Sequence, residues 1–531
     1  MSLTKHQQAA HSFTPFGSLH RKWEKYFDFR LCNRELLIRV VYTPETLGDE
    51  ILALFLKDLI SRLRITKNVQ KLVLDLTQHH SMRYKTVHTL ALHLFPHLKS
   101  LRSFALYLSF NVIFANTALV SLCKKFSKHC RNLESFAVEV FNRPSCTVRN
   151  EDVAPIIPML AKSMRKLKSF KFNMPGLAQE AVTKFLFLAN LRLINLEELT
   201  LKFMKVRVLI AKEVNPFQIR FSRRHRKMKV LDILLSTPPN FAREELEILS
   251  LSIAHNYSRL KDLRLAMIDC EDITDKGVEG LVSNISRKLT KLQGLSLDFS
   301  NCTQITDKAL KAFGPLITPY LKTLKQLSLN FTKCDEISDQ GLHQLTRDLN
   351  SQRLHFDKLS LDFSYCKKIS GKGLKKIPFN RNSNMANLKS LKLNFMHCGK
   401  FSNDALTQFA TTINQCAGNL QELSLELGHS TATEIRSTFL GIQLSNTEIT
   451  DAGLIKFGSI LAQGALKLAR IHLKFEGFPD ISDAGAQKFC SSLNSAKKLS
   501  LNFKDCGKKI TNRAQQLAQP SPVLVADIDS C

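Results

Sequence analysis

Hydrophobic residues recur along this chain in a fixed frame, L-x-x-L-x-L, and the frame repeats. Its second apolar position falls at Leu72, Phe104, Phe136, Phe170, Leu199, Leu231, Leu263, Leu295, Leu327, Leu359, Leu391, Leu423, Ile471 and Leu499. The intervals are 32, 32, 34 and 29, then seven of 32, then 48 and 28. An earlier copy, 32 residues before Leu72, puts Leu37, Val40 and Tyr42 in the same frame and brings the count to fifteen. Length alone would suggest three or four domains, but a period of this kind means an array of small similar units.

Within one copy, Leu295, Leu297 and Phe299 alternate with Ser296, Asp298 and Ser300, the period-two signature of a short strand with one buried face. A turn follows through Cys302 to Ile305, and Thr306-Asp307 then starts a helix: the hydroxyl satisfies a free backbone N–H and the acid favours the first turn. The same start recurs at Thr274-Asp275, Ser338-Asp339, Thr450-Asp451 and Ser482-Asp483. Small residues three positions after the capping residue (Gly277, Ala309, Gly341, Gly373, Gly453, Gly485) are expected to let each helix approach its own strand. One strand-turn-helix unit cannot cover its own apolar face, so successive units must stack. Strands repeat at about 4.8 Å and helices are about 10 Å across, so the stack must curve with strands inside. The expected fold is an α/β solenoid, a horseshoe with parallel strands on the concave face and helices on the convex face.

The predicted organisation is an N-terminal cap over 1–36, containing Trp23, Tyr26, Phe27 and Phe29, a solenoid over 37–515 and a C-terminal tail over 516–531. Two interruptions are expected. Pro216 breaks the helix of the unit near 205–227, and the long interval after Leu423 implies a loop or a truncated repeat near 428–448.

Between Leu263 and Leu374 the units read L-x-L-x-F-x-x-C-x-x-I-[ST]-D-x-G-L, with small departures from copy to copy. These runs resemble leucine-rich repeats of the long, ribonuclease-inhibitor-like class, with cysteine-containing repeats similar to those that follow many F-box domains and to ciliate repeat arrays. The resemblance covers about 37–515 and is strongest over 260–410. It implies a recognition module. The Leu-Pro start of an F-box is not found in the first 36 residues.

Cys270, Cys302, Cys334, Cys366 and Cys398 are spaced by 32, and Cys506 occupies the same frame. Equivalent positions in stacked units form a line at about 4.8 Å per step, whereas four thiolates must converge on zinc at about 2.3 Å. Five stacked thiols cannot pair evenly as disulfides. The expectation is a structural, buried thiol at the turn. Phosphate-cradling loops, H-E-x-x-H and G-x-S-x-G are absent, and His79-His80 reads as a solvated pair, so no enzyme activity, cofactor or metal is expected.

The chain has 76 Lys and Arg against 46 Asp and Glu, a formal charge of +30. On strand positions expected to face outward, Asp75, Glu139, Asp232, Asp298, Asp362, Glu426 and Glu476 nearly balance Lys171, Lys202, Arg264, Lys392, Lys474 and Lys504. The excess must then lie on helices, loops and edges. Arg102, Lys168, Lys229, Lys261, Lys325, Lys389 and Lys497 form a column where the chain enters each strand, and Arg223, Arg224, Arg226, Lys227 and Lys229 cluster at 223–229. Each is either a solvated rim or a phosphate-facing patch, and the cluster could also be a nuclear-import signal.

These readings point to a non-catalytic scaffold that binds a protein partner through its concave face and edges, with Tyr107, Phe141, Met204, Arg264, Asp298, Asp362 and Lys392 as candidate contacts. Two alternatives stand beside it: the resemblance implies a substrate-recognition or regulatory protein of a ubiquitin ligase pathway, here without an evident F-box, and the basic edge suggests RNA or ribonucleoprotein binding. With no run of 18 apolar residues, no signal peptide and 13 cysteines, the expected location is the cytoplasm or nucleus, with no membrane partner. The pattern leaves the oligomeric state open.

Overall fold

A computed structural model of the chain describes 243–317, 319–350, 356–378, 387–416, 419–428, 449–464, 468–493, 498–503 and 506. N-terminal to these it describes 23, 26–32, 34–40, 54–55, 57–61, 69–77, 94–109, 123–125, 128–141, 166–173, 193–203 and 227–236. The chain divides into two compact units, Met1–Asn240 with Ser252–Leu260, and Phe241–Leu251 with Lys261–Cys531. Both have the architecture of an α/β solenoid of the leucine-rich-repeat kind.

In the first unit the strands are β1 Phe27–Cys32, β2 Glu35–Val40, β3 Lys71–Leu76, β4 Ser103–Ser109, β5 Ser135–Phe141, β6 Ser169–Asn173, β7 Glu198–Phe203 and β8 Val230–Ser236. β2 to β8 pair in parallel, in chain order, and the register places Leu72, Phe104, Phe136, Phe170, Leu199 and Leu231 side by side. All six are buried. Phe136 and Phe170 stack at 5.8 Å between ring centroids, as part of an aromatic spine that runs between repeats.

The first repeat departs from the expected frame. Leu36 and Ile38, not Val40 and Tyr42, pair with Leu72 and Leu74 and are buried, so the first repeat is 36 residues long. The cause is a hairpin. β1 pairs antiparallel with β2, and Arg34, at φ 70, turns the chain between them. The Arg34 carbonyl then accepts from the backbone of Gln70 at 2.9 Å and Lys71 at 3.2 Å, which sets the register with β3. Trp23 is buried before this hairpin. Its indole N–H donates to Asp58 Oδ2 at 3.1 Å and its ring meets Phe55 edge-on.

In the second unit the strands are β9 Asp262–Ile268, β10 Gly294–Asp298, β11 Gln326–Asn330, β12 Lys358–Asp362, β13 Ser390–Met396, β14 Glu422–Gly428, β15 Arg470–Glu476 and β16 Lys498–Asn502. All are parallel and follow chain order. Helix α1 (Arg243–Asn256) has residues in both units. Between the strands lie α2 Asp275–Lys288, α3 Asp307–Ile317, α4 Asp339–Leu349, α5 Gly371–Lys375, α6 Asn403–Cys416, α7 Asp451–Gly464 and α8 Asp483–Ser492. Leucines of each strand and apolar residues of each helix close over one another: Leu327, Leu329, Leu342 and Leu345 are all buried. Phe299, Phe331, Phe363 and Phe395 stack from repeat to repeat at 5.7 to 6.2 Å. Among the described residues no helix is long and apolar enough to cross a membrane. The expected interruptions near 205–227 and 428–448 and the tail fall almost wholly outside the described residues.

The cysteine column is structural in a specific way. Four of its thiols donate to a carbonyl at the strand end of the preceding repeat: Cys302 to Met267 O at 3.2 Å, Cys334 to Phe299 O at 3.3 Å, Cys366 to Phe331 O at 3.1 Å and Cys398 to Phe363 O at 3.0 Å, whereas Cys270 donates to Ile268 O of its own repeat at 3.5 Å. Cys506, like those four, donates to the preceding repeat, to Phe475 O at 3.2 Å. The thiol is small enough to be buried and still satisfies a carbonyl at a point where the strand ladder has ended.

The glycines after the helix caps have a different role from the expected one. A Cβ on Gly341 would lie 2.2 Å from Asp307 Oδ1, on Gly373 2.5 Å from Asp339 Oδ1, and on Gly485 within the Asp451 carboxylate. The close neighbour is the first-turn acid of the preceding repeat, not the helix's own strand.

Candidate functional site

The face of the sheet opposite the helices is open, and in the second unit its outward side chains form two rows across the strands. Strand register aligns Arg264, Ser296, Ser328, Ser360, Lys392, Ser424, His472 and Ser500 in one row. The other contains Asp298, Asn330, Asp362, Asn394, Glu426 and Lys474. Alternation of apolar and polar residues puts these side chains on one face, and parallel pairing stacks them by residue type.

The second row is tied together. Asn330 Nδ2 donates to Asp298 Oδ2 at 3.1 Å and Asn394 Nδ2 donates to Asp362 Oδ2 at 2.9 Å. The other carboxylate oxygens cap the turns that follow: Asp298 Oδ1 accepts from Ser300 N at 2.9 Å and from its hydroxyl at 2.5 Å, and Asp362 Oδ1 accepts from Ser364 in the same way. Thr332 bridges Asn330, Asp362 and Ser364. A carboxylate alternating with an amide avoids like charges directly opposite each other and holds the side chains of Asp298, Asn330, Asp362 and Asn394 in place.

Two shallow troughs lie along this face. One, of about 450 Å³, crosses β12 to β16 and is lined by Asp362, Lys392, Glu422, Glu426, Arg470 and His472 among others. Here Lys392 Nζ lies 3.8 Å from Glu422, and His472 contacts Ser500 Oγ at 3.1 Å and Glu426 at 3.9 Å. The other, of about 390 Å³, runs from Arg264 past Ser296, Ser328 and Ser360 to Lys392. Charged groups of both signs are spread over several strands. Among the described residues no group of three or more His, Cys, Asp or Glu is placed to hold a metal ion.

The structure thus places Asp362 and Lys392 in one trough and Arg264 and Lys392 at the ends of the other, with Asp298 in the hydrogen-bonded row. Tyr107 is half-buried on the face of the first unit, between Asp75 and Glu139 on the adjacent strands. Burial first, then Glu139 and Asp75, push its phenol above the ordinary tyrosine value. Phe141 is the last residue of β5, with its side chain outside the described residues, and Met204 lies outside them altogether. Glu476, expected to face solvent, is 8% exposed. It ends β15 opposite Gly428, whose missing Cβ leaves room for it, and it pairs with Lys474 at 2.9 Å.

The basic column at the strand entrances is a ladder of mixed sign. Glu134 lies between Arg102, at 3.6 Å, and Lys168, at 2.8 Å, while Lys229 pairs with Glu197 at 2.5 Å and Lys389 with Asp357 at 2.9 Å. The acids occupy the same column in intervening repeats, which a reading of the bases alone passed over. Exposed pairs of this kind add little stability but lower the potential of the edge. Lys261 and Lys325 are exposed without an ion pair among the described residues. Lys227 is exposed in the turn before β8, and Arg223, Arg224 and Arg226 lie outside the described residues.

No family model matches the chain. No curated protein sequence matches it either. Among solved structures it is similar to a chain from the crystal structure of the yeast Rad7 and Elc1 complex, at 13% identity, over 94% of each chain, with a TM-score of 0.44.

Proposed function

We propose that the chain is a non-catalytic scaffold that binds a protein partner on the open sheet face of its repeats. The observation behind this reading is the hydrogen-bonded row Asp298–Asn330 and Asp362–Asn394 beside two open troughs. Side chains already held in place lose little conformational entropy on binding, so many modest contacts can add up. The polar groups are distributed along tens of ångströms of sheet rather than converging on one reacting atom, an arrangement suited to an extended polypeptide surface.

Lysine acetylation footprinting of the full chain with and without its captured partner tests the reading. Lys392 and Lys474 should be protected while the helix lysines Lys308 and Lys311 stay reactive. Ser328→Trp with Ser360→Trp should block capture with the melting temperature unchanged. Protection confined to helix lysines would overturn it.

A further inference from the structure

From Leu76 to Leu133 the chain contains no Asp or Glu, while it contains Arg83, Lys85, Lys99, Arg102, Lys124, Lys125, Lys128 and Arg131. The first unit gathers part of this stretch at the strand-entrance edge. Lys99, Arg131 and Lys166 are exposed in the turns before β4, β5 and β6, and Lys125 and Lys128 lie in the helical segments before Arg131. Lys99, Arg102 and Lys166 line a cleft of about 500 Å³ with Gln70, Ser100 and Asn132. Lys166 Nζ donates to Asn132 Oδ1 at 2.9 Å, which holds its ammonium at the mouth.

Among the described residues the one carboxylate in this cleft, Glu134, is shared by Arg102 and Lys168. Among the described residues Lys99, Lys125, Lys128, Arg131 and Lys166 make no ion pair. His129 reports the local field: partial burial, then Lys128, Lys125 and Lys99, hold its pKa below the ordinary histidine value. At Asp335, Glu336 and Asp357 of the second unit, by contrast, Lys367, Lys368 and Lys389 each have an acid.

We infer that the cleft formed by Lys99, Arg102 and Lys166, extended by Lys125, Lys128 and Arg131, docks the phosphate backbone of double-stranded nucleic acid. Lys, Arg, Ser, Asn and Gln are the side chains that contact phosphate and sugar without reading sequence. Among the described residues the lining has no aromatic ring on which an unpaired base could stack, which favours a duplex over a single strand. Nor do those residues include an apolar or aromatic anchor of the kind that dominates protein–protein hot spots, which favours phosphate over an acidic polypeptide. This site uses none of the residues that line the two troughs, so it stands or falls independently of the scaffold reading.

Fluorescence anisotropy of the full chain with labelled RNA and DNA duplexes of about 20 base pairs, between about 50 and 200 mM salt, tests it. Affinity should fall steeply with salt. Lys99→Glu with Lys128→Glu and Lys166→Glu should weaken binding at least about tenfold, and the corresponding Gln triple variant should lower the log–log salt slope by about 3. Lys261→Glu with Lys325→Glu and Lys389→Glu should leave binding unchanged. Circular dichroism melting shows that each variant is folded, and the Gln variant serves if the Glu variant is not. No duplex binding at the lowest salt, a salt slope untouched by the Gln variant, tighter binding of single strands, or equal competition by polyaspartate would each overturn the inference.

Discussion

The carboxylate of Asp307 accepts both the backbone N–H of Ser338, at 2.7 Å, and its hydroxyl, at 2.6 Å, thirty-one residues further along the chain. The same pair of hydrogen bonds joins Asp275 to Thr306, Asp339 to Ser370 and Asp451 to Ser482. Asn403 makes the amide version of it with Thr450. Asp275, Asp307, Asp339 and Asp451 thus each stand in the first turn of one helix and lock the cap of the next.

Breaking one lock should be expensive. Asp307→Ala removes two hydrogen bonds to a charged acceptor and is expected to destabilise the second unit by about 2 to 3 kcal/mol. Asp307→Asn should retain part of this, as Asn403 does naturally. Urea unfolding followed by circular dichroism measures both, and a loss below about 0.5 kcal/mol for the alanine variant would remove the lock from the account.

Gly341→Ala would place its Cβ 2.2 Å from Asp307 Oδ1 and should destabilise by about 1 to 3 kcal/mol. Because the clash is with that carboxylate, the double variant Asp307→Ala with Gly341→Ala should lose at least about 1 kcal/mol less than the sum of the single changes. Additivity in this cycle would show that the glycine serves some other neighbour.

Asp269, Asn301, Lys333, Tyr365 and His397, also spaced by 32, all have φ between 57° and 64°, and Gly477 takes the equivalent place at 77°. Their N–H groups reach the next repeat, as in Lys333 N to Ser364 O at 2.8 Å. Lys333→Val, β-branched in a left-handed conformation, should cost about 1 to 2 kcal/mol, whereas Lys333→Asn should be neutral or stabilising. Equal melting temperatures for the two variants would contradict this.

Burial pushes the Cys398 thiol up from 9.0 to about 12, with its hydrogen bond to the preceding repeat intact. The unfolded chain releases this proton at lower pH than the folded one, so its contribution is complete below pH 9 and is lost as pH rises towards about 12. Chemical denaturation across that window should show falling stability, by about 1.4 kcal/mol per pH unit for each such thiol. Alkylation at pH 8 should reach Cys302, Cys334, Cys366 and Cys398 only after denaturation. Rapid labelling of the native protein would place these thiols at the surface.

Spacing by itself determined much of this molecule. A sustained 32-residue period with two-residue alternation implied parallel strands in chain order, and the thiols' linear spacing implied that they are buried at the turns. Leu263, Leu295, Leu327 and Leu359 do pair as neighbours, because only that register buries every repeat's apolar face. Tertiary structure alone decided what crosses between repeats. That Asp307 belongs to Ser338, that Gly341 makes room for Asp307, and that Glu134 pairs with Arg102 are contacts over 31 to 34 residues. The first repeat's register was likewise settled by a hairpin, at Arg34, that breaks the period. A linear pattern records which face a side chain takes, whereas its partner depends on how the next turn of the solenoid is laid upon it.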